Sequence, residues 1–286
     1  DGGLDPSVGV DLDYFVGEDG FSRGVADVAD EGLVWTSGLV SIPGDPPELI
    51  GAYANVGAEW TRLGAGMLRW DPEVESFEIL VSFPDESLSE PTGTAFLEGD
   101  SVFFTDIAPG DGFEARFRTV RVPANLESLA DPSTYRTTLS NNQLADSFAD
   151  VAVEGHIGSV FWNAHLGRYL RIFARAWGDD AFLGETWAAA SDTPMGPWAW
   201  ASQVVTHDDT SFYNPRQHPE FDAGSDVYFE GTYSHTFSES QVATPRYDYN
   251  PVMYRLDLER LTLPVPVYGD GLWTRESVPE GGDRLP

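Results

Sequence analysis

The sequence contains no cysteine and no lysine. Its 16 basic residues are all arginines, and they stand against 47 acidic residues, which gives a net charge of -31 over 286 residues. The absence of cysteine excludes disulfides, thiolate metal sites and cysteine nucleophiles. Because the negative field repels nucleic acid and anionic lipid, we expect neither as a partner.

Long apolar runs are also missing. None approaches the ~20 residues of a membrane helix, so we expect no membrane span. The chain begins at Asp1 rather than Met, and we therefore expect that a signal or anchor segment has been removed, with residues 1–7 as a flexible tether. This predicts an extracellular or cell-surface monomer. The acid excess has two readings: a halophilic protein adapted to high salt, or a GC-rich genome combined with ordinary acidic secretion.

Helical periodicity is nearly absent, whereas β-rich runs alternate with turn residues. The 29 Gly and 20 Pro punctuate the whole chain. A unit of four strands is clearest over residues 150–208, where the predicted strands are His156–Asn163, Arg168–Ala174, Glu185–Ser191 and Trp198–Thr206. Four consecutive antiparallel strands are typical of a propeller blade.

The same unit is repeated along the chain. It fits residues 31–85, 90–140 and 212–268, and a fifth blade can be assembled from residues 8–16 and 271–278. A repeat of roughly 50 residues is the period of propeller blades. The sequence therefore predicts an all-β fold, a five-bladed β-propeller that forms a single domain over residues 8–286. A β-sandwich is the alternative, and the blade-length repeat makes it second choice.

Two segments carry a family resemblance. One is Ala189-Ala-Ser191-Asp192-Thr-Pro-Met-Gly196-Pro197-Trp198, and the other is Phe212–Phe221 followed by Asp226–Tyr233. They resemble strand and turn patterns of five-bladed propeller glycoside hydrolases of the arabinanase, xylosidase and invertase type. The tract from Gly158 to Tyr268 also resembles a group of uncharacterised secreted bacterial proteins. The resemblance covers about the last half of the chain and implies a secreted glycoside hydrolase that acts on a polysaccharide or oligosaccharide.

The sequence departs from this family at the first blade. The family carries a carboxylate at the start of the inner strand in each of its first three blades. Here the corresponding segments are Trp35-Thr-Ser37, Glu90-Pro-Thr92 and Glu154-Gly-His156. The first carboxylate is therefore missing unless Asp30 or Glu31 takes its place.

Four residues are candidates for catalysis. Inner-strand starts converge on one end of a propeller tunnel, which nominates Glu90 and Glu154 as the pair of carboxyl groups for glycoside hydrolysis. His156 and His218 could act as general acid or base, or hold a Ca²⁺ or Na⁺ ion or a water on the ring axis. Apart from such an axial ion we predict no metal and no cofactor. For each carboxylate an exposed acidic side chain is the plain alternative, and for each histidine a structural hydrogen bond.

A further set of residues is predicted to bind substrate: Trp35, Asn214, Arg216, Gln217, Glu230, Tyr247 and Asp248. Arg216 could clamp a substrate carboxylate or position Glu220, and an internal Arg–Glu pair is the alternative. Tyr247 or Tyr249 could stack on a sugar ring while Asp248 binds its hydroxyls, unless the segment is only a structural corner.

Two functions remain open at this point. The first is a glycoside hydrolase, favoured by the polar, His-containing inner-strand starts. The second is a non-catalytic module for glycan binding or cell-surface interaction, favoured by the missing acid of the first blade. No nucleotide-binding loop, zinc-protease motif or serine nucleophile elbow appears in the sequence. Both functions make carbohydrate the expected partner.

Overall fold

The computed structural model describes residues 15–26, 28, 32–83, 87–108, 116–149, 151–179, 181–207, 209–236, 238, 249–269 and 272–275. Two compact units can be distinguished. The first holds the described residues up to 105 together with 119–138, and the second holds 106–108, 116–118 and those from 139 onward. No helix in these ranges is long and apolar enough to cross a membrane.

The first sheet is a four-stranded antiparallel meander. Its strands are β1 (Leu33–Ile42), β2 (Glu48–Val56), β3 (Arg62–Asp71) and β4 (Ser76–Ser82), paired in that order. A short 3-10 turn, Ala58–Trp60, joins β2 to β3. Ile42, Ile50 and Met67 from this sheet are fully buried in the core of the first unit.

The second sheet has the same order of strands. It consists of β5 (Thr94–Glu98), β6 (Ser101–Ala108), β7 (Arg116–Pro123) and β8 (Arg136–Asn141). Between β7 and β8 lie a single helical turn, α1 (Leu126–Leu129), and the 3-10 turn Pro132–Thr134. The Asn125 side chain accepts a hydrogen bond from the Ser128 backbone N–H, which caps α1 at its N-terminus.

The third sheet adds a strand that closes it. Strands β10 (Ala152–Asn163), β11 (Arg168–Arg175), β12 (Glu185–Ser191) and β13 (Trp200–Thr206) pair antiparallel in sequence order. The short strand β9 (Gln143–Asp146) pairs with the start of β10 and also with the start of β13. These five strands therefore form a closed ring of pairings within the second unit.

The fourth sheet has three strands rather than the four predicted. They are β14 (Ser211–Gln217), β15 (Asp226–Ser234) and β16 (Asn250–Asp257). The last part of the predicted blade at 212–268 instead forms a hairpin, in which β17 (Pro266–Gly269) pairs with β18 (Leu272–Arg275). Pro264 and Pro266 remove two backbone donors from this segment.

The prediction of an all-β propeller-type fold is confirmed at the level of its blades. Four blade-like sheets lie at the four segments that the repeat predicted. A fifth blade is not found among the described residues. Its proposed strands, 8–16 and 271–278, fall largely outside them, and the described part, Leu272–Arg275, pairs with β17.

The interior strands of the third sheet are apolar on both faces. In β11 every residue from Tyr169 to Ala174 is buried, and all seven residues of β12 are buried. A strand that packs on both sides cannot alternate polar and apolar residues. Exposed polar and aromatic side chains are therefore concentrated at strand starts and in the connecting loops.

Arg171 is an exception inside this core. It is fully buried in β11, between the rings of Phe117 and Phe173, whose centroids lie 4.4 and 4.3 Å from its guanidinium carbon. Its Nη2 donates a 2.7 Å hydrogen bond to Oδ1 of Asn142. Burial lowers the pKa of Arg171 to about 9. The faces of two aromatic rings and one amide oxygen thus contact the guanidinium in place of a carboxylate.

Gly158 lies at a bulge where β10 approaches β11 closely. The register shifts between Gly155 and Gly158, and a Cβ on Gly158 would overlap the backbone of Ile172 and Phe173. Backbone atoms in the middle of a buried sheet cannot move aside cheaply. We expect Gly158→Ala to lower the free energy of unfolding by about 1–3 kcal/mol, measured by urea denaturation.

Gly64 provides the matched control for this substitution. It also lies in a strand, but a Cβ there would meet no atom within 4 Å. Gly64→Ala should leave stability unchanged or raise it by a few tenths of a kcal/mol, because alanine restricts the unfolded chain. Equal losses for both variants would contradict the close approach of β10 and β11.

Candidate functional site

Exposed aromatic side chains lie at one end of the first sheet. Trp35 is the third residue of β1, and its ring lies 5.7 Å from that of Trp60 in the loop between β2 and β3. Trp60 is 78% exposed and has a left-handed φ of 63°, directly after Glu59 with a φ of 54°. Left-handed backbone is unfavourable for a bulky residue, so the fold holds this indole outward against a conformational cost.

The third sheet shows the same arrangement. Trp177 lies in the loop between β11 and β12, has a φ of 58° and is 69% exposed. Its ring lies 4.6 Å from that of Phe182 in the same loop, and Phe182 packs edge-on against His156 of β10 at 5.9 Å. In an antiparallel sheet the loop from second to third strand lies beside the start of the first strand, which is why these residues meet.

The fourth sheet repeats the pattern a third time. Tyr213 is the third residue of β14, and its ring lies 5.6 Å from that of Tyr249, which immediately precedes β16. Tyr249 is 51% exposed with a φ of 102°. Thus three blades each carry an exposed aromatic residue of positive φ in the segment between their second and third strands, in ring contact with a neighbour near the start of the first strand or in the same loop.

Ionisable side chains accompany the rings of the third sheet. Glu154 and His156 are half-buried on one face of β10, whereas Val153 and Gly155, which alternate with them along the strand, are buried. Burial lowers the pKa of His156, and the negative charge of Asp106 opposes this shift. Asp106 itself lies 3.7 Å from Nη2 of Arg118. We call Asp106, Glu154, His156, Trp177 and Phe182 the β10 site.

The Nδ1 atom of His156 is buried and has no hydrogen-bond partner. A histidine whose role was only structural would be expected to satisfy both ring nitrogens when buried. Its neutral form, favoured by burial, offers one donor and one acceptor. His156 is therefore suited to bind a hydroxyl group or to exchange a proton.

Glu90 is placed differently from Glu154. It lies before β5 in the first unit, is buried, and its Oε2 is 2.5 Å from Nη2 of Arg62. An arginine in direct contact stabilises the ionised carboxylate. Glu90 therefore resembles an internal ion pair more than a proton donor, and the structure does not join it to Glu154 within one unit.

His218 lies in an acidic cluster after the end of β14. Its Nδ1 is 3.0 Å from Oε1 of Glu220 and its Nε2 is 3.3 Å from Oε1 of Glu230, although the second contact lacks hydrogen-bond alignment. The contact with Glu230, then that with Glu220, raises the pKa of His218 despite partial burial. The same contact with His218 lowers the pKa of Glu230.

The sequence suggested equivalent positions for His156 and His218 near the starts of their strands, but the structure places them differently. His156 is the fifth residue of β10, whereas β14 ends at Gln217, so His218 follows its strand. The inner strand of the fourth blade begins at Ser211, three residues before the predicted start at Asn214. The two histidines thus lie at opposite ends of their strands.

Three other predicted binding residues lie in or beside β14. Gln217 is buried, and its amide donates to the backbone oxygens of Ser159 (2.9 Å) and Leu170 (3.1 Å). Asn214 is exposed with a φ of 57°. Arg216 is exposed opposite Glu230 and contributes to lowering its pKa. Tyr247 and Asp248 lie outside the described residues.

No group of three His, Asp or Glu side chains among the described residues has the arrangement needed to hold a metal ion. The His218 cluster is held together by contacts between histidine and carboxylates instead. The predicted role for an axial Ca²⁺ or Na⁺ ion stays a prediction.

Sequence reasoning missed Trp60, Trp177, Phe182, Tyr213 and Asp106, whereas Tyr249 was one of the two tyrosines expected to stack on a sugar ring. A signal for Trp177 was present: the residue stands in Ala176-Trp-Gly-Asp179, where turn residues follow a tryptophan. A large apolar residue within a turn segment is exposed in most folds, and exposed aromatics mark binding surfaces. The proximity of Asp106 to His156 depends on tertiary packing and had no such signal.

Comparisons with known proteins give likeness in fold only. No protein-family model matches the sequence, and no curated protein matches it. Among solved structures, the chain is similar to a Dyadobacter fermentans protein of unknown function, with 12% identity over 72% of this chain and 59% of that one, less than two thirds of its length, at a TM-score of 0.45.

Two similar structures contain bound saccharides. One is a Penicillium chrysogenum alpha-L-arabinanase complexed with arabinobiose, with 9% identity over 82% of this chain and 69% of that one, at a TM-score of 0.47. The other is an N-acetylgalactosamine deacetylase from F. plautii in complex with blood group B trisaccharide, with 10% identity over 83% of this chain and 76% of that one, at a TM-score of 0.45. At these TM-scores and identities the likenesses support no functional conclusion by themselves.

The His218 cluster generates a pH-dependent prediction. Because its folded pKa is raised above the ordinary 6.5, protonated His218 contributes stability below that pH, and this contribution is lost as the pH rises through the folded value. Glu230 contributes above its ordinary 4.5 and loses its contribution as the pH falls through its lowered value. At a pH between the folded-state pKa values of Glu230 and His218, we expect His218→Gln to lower the free energy of unfolding by about 0.5–1 kcal/mol. At about pH 8.5 the loss should be smaller.

Urea denaturation of both proteins at about pH 5.5 and about pH 8.5 measures this difference. His165→Gln is the control, since His165 is exposed in the turn between β10 and β11. The control should show no pH-dependent loss. A loss from His218→Gln that is equal at both pH values would show that packing, and not charge, accounts for the effect.

Proposed function

We propose that this protein acts on carbohydrate: it binds a glycan on the exposed rings of its blade ends and hydrolyses a glycosidic bond at the β10 site. The observation that carries the proposal is the threefold recurrence of an exposed aromatic residue with positive φ in the segment between the second and third strands of a blade. Folds do not hold large apolar rings outward in a strained conformation for stability. A ligand with flat apolar faces and polar edges, such as a sugar ring, fits such a surface.

The third blade adds ionisable groups to its rings. A pyranose or furanose stacked on Trp177 would lie beside Phe182 and within the surroundings of His156 and Glu154. The carbonyl oxygen of Glu154 accepts a 2.9 Å hydrogen bond from the N–H of Ala176, so the strand of the carboxylate and the loop of the platform are joined directly.

Hydrolysis at this site needs two carboxyl groups with different protonation. In the proposed reaction Glu154 gives a proton to the glycosidic oxygen as its bond to the anomeric carbon breaks. A water molecule adds its hydroxyl to the anomeric carbon, and Asp106, whose carboxylate lies 3.7 Å from Nη2 of Arg118, accepts the remaining proton. His156 would bind a sugar hydroxyl.

One observation favours a second function, a non-catalytic glycan-binding module. Glu90, the other carboxylate expected from the resemblance, is buried in an ion pair with Arg62. The first blade also offers Trp35 and Trp60, and β1 itself contains no carboxylate, while Asp30 and Glu31 lie outside the described residues. Under this alternative the rings alone supply the affinity, and Glu154 is a solvated side chain.

Binding and hydrolysis can be separated with two variants. Soluble arabinan, xylan and further plant, algal and bacterial polysaccharides are tested by calorimetry and by release of reducing ends. We expect Trp177→Ala to weaken binding by about thirtyfold, since loss of a well-placed tryptophan costs about 2 kcal/mol. We expect Glu154→Gln to keep the affinity and to lower the rate of release by at least about a hundredfold.

Trp162→Ala is the matched control for the platform. Trp162 is also half-exposed and lies near the far end of β10, where its ring contacts Tyr169. It should change neither binding nor release. Binding without release by the wild type would support the module and refute hydrolysis, whereas absence of binding to every glycan would refute the proposed function altogether.

A further inference from the structure

We propose that Glu185 is a positioning residue: its buried carboxylate fixes the loop that presents Trp177 to the ligand. The inference rests on the proposed function, because Trp177 is taken as a sugar platform. The loop comprises residues 176–184, of which 180 lies outside the described residues. We call it the platform loop.

The carboxylate of Glu185 lies at the start of β12 and is only 3% exposed. Four donor contacts satisfy it. Nη1 of Arg175 lies 3.1 Å from both oxygens, the backbone N–H of Asp179 donates to Oε1 at 2.8 Å, and Nε1 of Trp187 donates to Oε2 at 2.8 Å. A carboxylate that accepts several hydrogen bonds and faces an arginine is held rigidly in a single position.

These contacts hold the platform loop from both sides of Trp177. Arg175 precedes it by two residues and Asp179 follows it by two, and both bind the same carboxylate. Near Trp177 the other described backbone hydrogen bonds run from the Ala176 N–H to the Glu154 oxygen at 2.9 Å and from the Gly178 N–H to the Phe182 oxygen at 3.4 Å. The end of the loop is held separately, because the oxygens of Leu183 and Gly184 accept from the N–H groups of Phe212 and His207, and Gly184 donates to Ala181 at 3.2 Å. Glu185 therefore holds the loop on both sides of Trp177, whereas the backbone bonds to Phe212 and His207 hold only its end.

Trp177 needs such a fixed point more than an ordinary loop residue does. Its left-handed φ is unfavourable for a tryptophan, and its indole has only Phe182 as a ring neighbour among the described residues. Without the Glu185 contacts, the segment could relax to a right-handed or extended conformation that turns the indole away. A platform held in advance binds a sugar without the entropic cost of ordering it.

The test uses Glu185→Gln, which keeps the shape of the side chain. The side-chain amide of glutamine has an NH2 donor in place of one carboxylate oxygen. This donor would face a group that now donates to that oxygen, so some of the four contacts are lost. We expect faster hydrogen exchange confined to the peptide that contains Asp179, and glycan affinity lowered by about tenfold. In a Trp177→Ala background the same substitution should change affinity by less than about twofold, since Glu185 acts through Trp177.

Ile172→Val is the matched control, because it removes a buried methyl group of β11 in the same blade without touching the loop. It should lower thermal stability but leave both the affinity and the exchange of the loop peptide unchanged. Should Glu185→Gln fail to fold, Arg175→Gln carries the test, because it removes one side of the pinning and retains the carboxylate.

The inference is overturned if exchange in the platform loop is unaffected by Glu185→Gln, or if the loss of affinity is the same with and without Trp177. Failure of the proposed function gives a different result. In that case no glycan binds to any variant, while the exchange measurement alone still decides whether Glu185 orders the loop.

Discussion

Burial of a strand on both faces is the constraint on which the described structure depends most. A lone four-stranded sheet leaves two faces to be covered, and when both are covered its interior strands become buried along most or all of their length, as β11 and β12 are. A polar side chain can be buried there only if it has interaction partners, as the packing of Arg171 between Phe117 and Phe173 shows. Functional side chains are therefore confined to strand starts and to the loops beside them.

The scarcity of cations gives the second constraint. With 16 arginines against 47 acids, only a minority of the carboxylates can have an arginine of their own. Arg62 lies against Glu90, Arg69 against Glu48, Arg118 near Asp106, and Arg175 against Glu185. Three of these four acids are buried or nearly so, where an unpaired charge would be most costly. The exposed acids are left to solvent and counterions, whose screening reduces their mutual repulsion.

The sequence predicted the blades well because turn residues and β-rich runs are local signals. The four sheets fall where the repeat placed them, whereas the segment after Leu263 pairs with β18 instead of completing the fourth sheet. Side-chain placement was less predictable. Gln217 and His218 looked alike as polar residues in one run, yet the end of β14 buries the first beneath β10 and leaves the second among carboxylates.

The candidate site was predicted in part for the same physical reason. Glu154 and His156 alternate with buried residues along β10, a pattern visible in the sequence. Glu90 looked equivalent to Glu154 because both precede or begin an inner strand, but its environment is set by Arg62, which is distant in sequence. No local pattern reveals which of two glutamates will face an arginine.

The difference between these two glutamates also bears on how a protein with so many acids could direct one of them to chemistry. A carboxyl group can donate a proton near neutral pH only where no cation stabilises its ionised form. Glu48, Glu90 and Glu185 each contact an arginine, whereas no arginine contact involves Glu154 among the ion pairs of the described residues. In a chain this acidic, contact with a guanidinium marks the structural acids, and Glu154, which is half-buried on β10 and joined through its backbone to the loop of Trp177, stands apart from them.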